Sequence, residues 1–156
     1  MKTAKCLTLA GMMLLLCAAV AQAKPNFTGD WKMNIAKSEF GMMPAPTSAV
    51  QKITHNDPEL KITSTQVSER GEFTSNNAYT TDGKECVNKG RMGELKSTLK
   101  WEGETLVIES KADFGGNAVT ITDKWSLSDD GKTLTINRHF ASSQGEGDVK
   151  QIYEKQ

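Results

Sequence analysis

Cysteine, histidine and aromatic side chains are scarce in this sequence, and each scarcity removes a class of explanation. Of its three cysteines, Cys6 and Cys17 lie near the N-terminus in a leader-like segment. That leaves Cys86 as a lone thiol, with no intrachain disulfide to staple the fold. The two histidines, His55 and His139, have no second ligand at metal spacing. Asp57, two positions from His55, reads as a turn residue, so no metal site is expected. There is no glycine-rich phosphate loop, nucleophile elbow or zinc motif. No catalytic residue and no cofactor are therefore expected. Neither charge dominates: 19 basic and 19 acidic residues give no ground for a nucleic acid or an anionic membrane as partner. Helical periodicity is missing over any stretch long enough to matter.

What is present begins with the leader. Lys2 and Lys5 precede an apolar run from Leu7 to Val20, broken only by Thr8 and Gly11 and followed by Ala21-Gln22-Ala23. This is the charged, apolar, small-x-small order of a secretory signal peptide. At about 14 residues the run is short for a membrane span, which needs roughly 20. Leu16 before Cys17 argues against a lipid-modified cysteine. The expectation is a signal peptide over 1–23, export to a periplasm or the extracellular space, and no stable membrane insertion. One domain over 24–156 follows, slightly acidic once Lys2 and Lys5 are removed and low in apolar residues. Such a composition suits thin walls around a small, partly polar interior better than a thick dry core.

From Phe27 onward, segments alternate apolar and polar residues with period two, and turns bearing Gly or Asn separate nearly all of them. The pattern predicts about ten short strands: 27–34, 49–55, 60–67, 73–80, 85–91, 95–101, 105–112, 118–127, 133–140 and 149–154. Asp82-Gly83 is the strongest tight-hairpin signal. A short helical turn is expected over 35–40, an irregular loop over 41–47 and a polar loop over Ser142–Asp148. Short connections make sequence neighbours spatial neighbours. The fold class is accordingly all-β, a single antiparallel up-and-down meander barrel of about 8–10 strands. Alternation puts Leu95, Leu99 and Trp101 on one face, Val119, Ile121, Trp125 and Leu127 on another, and Leu134, Ile136, Arg138 and Phe140 on a third. These faces should point inward. Arg138 is the anomaly, a permanent charge in an apolar row.

Gly29-x-Trp31 on a first strand, Arg138 on a late strand, a leader and a closed meander together resemble the calycin superfamily, in particular the lipocalin-like proteins of bacterial envelopes. The resemblance implies that Trp31 packs across the closed end of the barrel with Arg138 stacked on it, a structural closure pair. It also implies reversible, non-covalent burial of a small, partly apolar ligand inside the barrel.

The ligand-binding candidates are Phe40, Met42, Met43, Tyr79, Trp101, Phe114 and Trp125. The methionines lie in the longest irregular segment, where flexible, polarizable side chains suit a gate over a barrel mouth. The aromatics would line the interior, and Ser97, Ser110 and Ala112 on the same faces would leave room. The other reading of those aromatics is plain core. The expected partner is a small hydrophobic ligand. The alternative is an envelope interaction or stress-protective protein, such as an inhibitor, with a solid barrel and its function on loops like Phe114–Asn117 or Ser142–Asp148.

Overall fold

The computed structural model describes residues 23–90 and 93–156, with the side chain of Phe114 excepted. The expected leader therefore lies outside the described residues. Ten strands follow one another: β1 (Gly29–Met33), β2 (Ser48–Asn56), β3 (Glu59–Ser68), β4 (Gly71–Thr80), β5 (Glu85–Gly90), β6 (Gly93–Glu102), β7 (Thr105–Phe114), β8 (Asn117–Leu127), β9 (Thr133–Ser142) and β10 (Gly145–Lys155). The one helical element among the described residues is a 3-10 turn, Ile35–Lys37, capped by the Asn34 side chain.

All ten strands form one antiparallel sheet in the order β4-β3-β2-β1-β10-β9-β8-β7-β6-β5. Pairing of β1 with β10 joins the start of the meander to its end, with Trp31 opposite Lys155. The sheet curls into a barrel whose ends, β4 and β5, meet without a ladder. Side chains stitch that seam. Asn88 accepts from the Ala78 amide at 2.8 Å and donates to its carbonyl at 3.0 Å, so one side chain stands in for a strand residue. The Thr80 amide donates to Cys86 Sγ at 3.3 Å.

Two expectations about local structure need correction. The segment Ser142–Asp148 is not a polar loop: β9 and β10 pair right up to Ser142↔Gly145, leaving a two-residue turn. Glycine composition hid this strand, because Gly147 lies opposite Phe140, whose ring fills the space a side chain would take (2.6 Å from an ideal Cβ). The second correction concerns the closure pair. Trp31 is buried and donates from Nε1 to the Phe27 carbonyl at 2.9 Å, but the cation over its ring is Lys155, 5.4 Å from the centroid. Gly29 leaves room for that lysine, since a Cβ there would sit 2.7 Å from Lys155 Cε. Arg138 is committed elsewhere.

The floor of the barrel is largely apolar. Phe27 is fully buried, stacked on Trp101 (5.9 Å, 5°) and His55 (5.6 Å), and meets Trp125 edge-on at 5.6 Å. Leu60, Leu99, Leu106 and Leu134, all at 0% exposure, complete this layer from four strands. Burial of each such leucine supplies about 2 kcal/mol of transfer free energy.

Candidate functional site

Above the floor, the inward positions of strand after strand change from apolar to polar. On β9 the inward row runs Leu134, Ile136, Arg138, and on β8 it runs Leu127, Trp125, Asp123. β3 goes from Leu60 and Ile62 to Ser64, and β2 from Ile53 to Gln51, directly opposite Ser64. β7 goes from Leu106 and Ile108 to Ser110, opposite Ser97 of β6. The register staggers this change from strand to strand, pairing Asp123 with Ile108 and Ser110 with Ile121, so the polar groups form a slanting belt around the lumen. Further along the β8 and β6 rows come Ile121 and Leu95, and β4 adds Phe73, an apolar rim.

The belt surrounds a cavity of about 200 Å³. Gln51, Ser64, Asn77, Ser110, Asp123, Arg138 and Gln151 contribute polar walls; Ile62, Ile108, Ile121, Trp125, Tyr79 and Phe73 contribute apolar or aromatic ones. A second space of about 90 Å³ lies under the loop after β1, lined by Phe40, Met43, Pro44 and Pro46. Ser64, Gln66, Arg138, Gln151 and Tyr153 line both, so the two are lobes of one chamber with Arg138 between them.

At the centre, Arg138 donates from Nε to Asp123 Oδ1 at 2.7 Å and from Nη2 to Oδ2 at 2.8 Å, a bidentate ion pair across the β8–β9 ladder. The adjacent Asp123 carboxylate raises the guanidinium further above its usual range, so Arg138 is permanently charged. Tyr153 accepts from Gln51 Nε2 at 3.1 Å. Burial pushes the Tyr79 and Tyr153 hydroxyls up to about 12, which keeps both neutral donors at ordinary pH. Two chamber-lining residues carry buried polar atoms without a hydrogen-bond partner: Trp125 Nε1 and Gln51 Oε1. Buried polar groups are nearly always satisfied, and each orphan costs about 1–3 kcal/mol.

The sequence candidates separate cleanly. Tyr79 and Trp125 face the main lobe, and Phe40 and Met43 face the smaller one. Met42 does not: it is 98% exposed. The loop turns at Gly41, whose positive φ (+57°) and approach to the Asp148 carbonyl (2.9 Å from an ideal Cβ) only glycine tolerates. Trp101 also lies outside the chamber, in the floor, where Nε1 donates to Asp57 Oδ1 at 3.2 Å. The Phe114 side chain is outside the described residues. Sequence reasoning passed over Asp123 and Gln51, although Asp123 interrupts the apolar row Ile121-x-Asp123-x-Trp125 as plainly as Arg138 interrupts its own.

His55 sits at the edge of the floor, buried, with Nδ1 accepting from the Phe27 amide at 3.3 Å. That bond puts the ring proton on Nε2, which has no hydrogen-bond partner and lies 3.8 Å from Asp57 Oδ1. Burial holds the imidazole below its ordinary pKa. Asp57 is held below the usual carboxylate range, chiefly by the Thr81 hydroxyl that donates to it. Among the described residues no group of three or more His, Cys, Asp or Glu is placed to hold a metal. None of the described helices is long and apolar enough to cross a membrane.

No protein-family model matches the chain, and no curated protein matches it in sequence. Solved structures do match in shape. The zebrafish ileal bile acid-binding protein complexed with cholic acid superposes with a TM-score of 0.58 at 19% identity, over 83% of this chain and 98% of that one. Secretory abundant heat soluble protein 4 from Ramazzottius varieornatus gives 0.60 at 15% identity, over 87% and 99%. Fatty-acid-binding protein 1 of Echinococcus granulosus gives 0.56 at 17% identity, over 83% and 96%. Ten antiparallel strands around a lumen, in the same arrangement as these barrels, make this chain a calycin-like barrel in its fold.

Proposed function

We propose that the protein is an exported, non-catalytic barrel that binds a small, partly apolar molecule in the chamber around Arg138. The observation that carries this reading is the chamber itself, a mixed polar and apolar space with one internally paired charge and several neutral polar side chains on its wall. Two of the barrels similar in shape are described as bile acid- and fatty-acid-binding, in keeping with a binding role. Export rests on the signal-peptide pattern of residues 1–23. The main lobe is smaller than the roughly 300–1,000 Å³ that holds a drug-sized ligand, so the ligand is small or its tail reaches the lobe under Phe40 and Met43.

Native mass spectrometry on gently purified, processed protein tests the reading. The expected result is a low-mass adduct, lost on organic extraction and absent from Ser64→Phe, which fills the junction of the two lobes. A chain that carries no adduct and takes up no lipophilic probe refutes the binding reading. N-terminal sequencing of material from culture fluid or envelope should begin near Lys24; an unprocessed N-terminus refutes export.

A further inference from the structure

If the chamber takes a ligand, its charges select the kind, and we infer that it is uncharged: a small molecule with an apolar body and a neutral hydrogen-bonding head, such as a primary amide or an alcohol, and not a carboxylate. The inference rests on the binding proposal and narrows it.

Among the described residues, Arg138 and Asp123 are the only charged side chains lining either lobe. They are already paired through two hydrogen bonds of 2.7 and 2.8 Å, so the chamber wall has no net charge to offer. An incoming carboxylate would have to share the guanidinium with Asp123 and stand beside its like charge. Every other polar group on the wall is neutral, among them Gln51, Ser64, Asn77, Ser110 and Gln151. Their amides and hydroxyls each offer both a donor and an acceptor. A primary amide or hydroxyl supplies both; a carboxylate only accepts. The Tyr79 hydroxyl, neutral at any ordinary pH, adds another uncharged contact on the same wall.

Isothermal titration of the processed protein at pH 7.5 with octanamide and octanoate, two probes of equal length, decides the matter. Octanamide is expected to bind at least tenfold more tightly than octanoate. In Asp123→Asn, which leaves the guanidinium without a counterion, octanoate should gain at least tenfold. Octanoate binding wild type as well as or better than octanamide overturns the neutral class while leaving a binding barrel in place. If neither probe binds wild type the class is likewise overturned. The native-mass experiment, which does not depend on the head group, then shows whether binding itself falls with it. The wild-type comparison needs no variant, so a poorly folding Asp123→Asn does not spare the inference.

Discussion

The ion pair inside the barrel yields a prediction whose size can be worked out. Asp123 keeps only 9% of its side-chain exposure, whereas Arg138 keeps 35%. Removing one partner from a fully buried pair costs about 3–5 kcal/mol, because the survivor is left charged and desolvated. The open third of Arg138 softens that penalty, so Arg138→Met and Asp123→Leu should each cost about 2–3 kcal/mol. For a domain of this size that is a fall of roughly 10 °C in Tm. The double variant Asp123→Leu/Arg138→Met leaves no charge behind and restores apolar volume. It should return to within about 1 kcal/mol of wild type. Urea unfolding of the four proteins gives a coupling energy of about 3 kcal/mol or more if the pair acts as a unit. Strictly additive singles, with coupling under about 0.5 kcal/mol, would mean that the two residues do not sense each other and that the chamber wall is not neutralised in this way.

Three further outcomes are expected. His55 has a folded pKa below its ordinary 6.5, so the unfolded chain takes up the proton first. Stability should be full above about pH 6.5 and decline as pH falls toward the folded value. Tm measured from pH 7.5 to 5 should drop less steeply in His55→Gln, and parallel profiles would discount the floor histidine. Asn88→Ala removes both bonds across the β4–β5 seam and should cost about 1–2 kcal/mol. Amide exchange should rise at Ala78; unchanged protection there would mean the seam is held by other contacts. Lys155→Ala uncovers the Trp31 ring and should cost about 0.5–1 kcal/mol, whereas a loss above 2 kcal/mol would point to a larger role than a cation over an indole.

Much of the architecture was legible because period two, turn glycines and Asp82-Gly83 are local signals. Inward rows such as Leu134, Ile136 and Arg138 emerged for the same reason. What failed depends on partners that only the sheet supplies. Arg138 stood out as a charge among apolar neighbours, yet its partner Asp123 is fixed by the register between β8 and β9. Trp31 needed a covering cation, and pairing of the first strand with the last supplies Lys155, a residue no local pattern ties to it. Met42 and Met43 look alike in sequence; the turn at Gly41 sends the first to solvent and the second over the smaller lobe. The beginning of β10 was lost because its glycines carry no alternation, and Phe140 across the ladder fills the gap.

The most direct measurement is a high-resolution crystal structure of the processed protein purified without extraction. Density for a compact organic molecule is expected between Arg138, Trp125 and Tyr79, with the Arg138–Asp123 pair intact. A chamber collapsed onto its own side chains, or filled by water alone, would contradict the account.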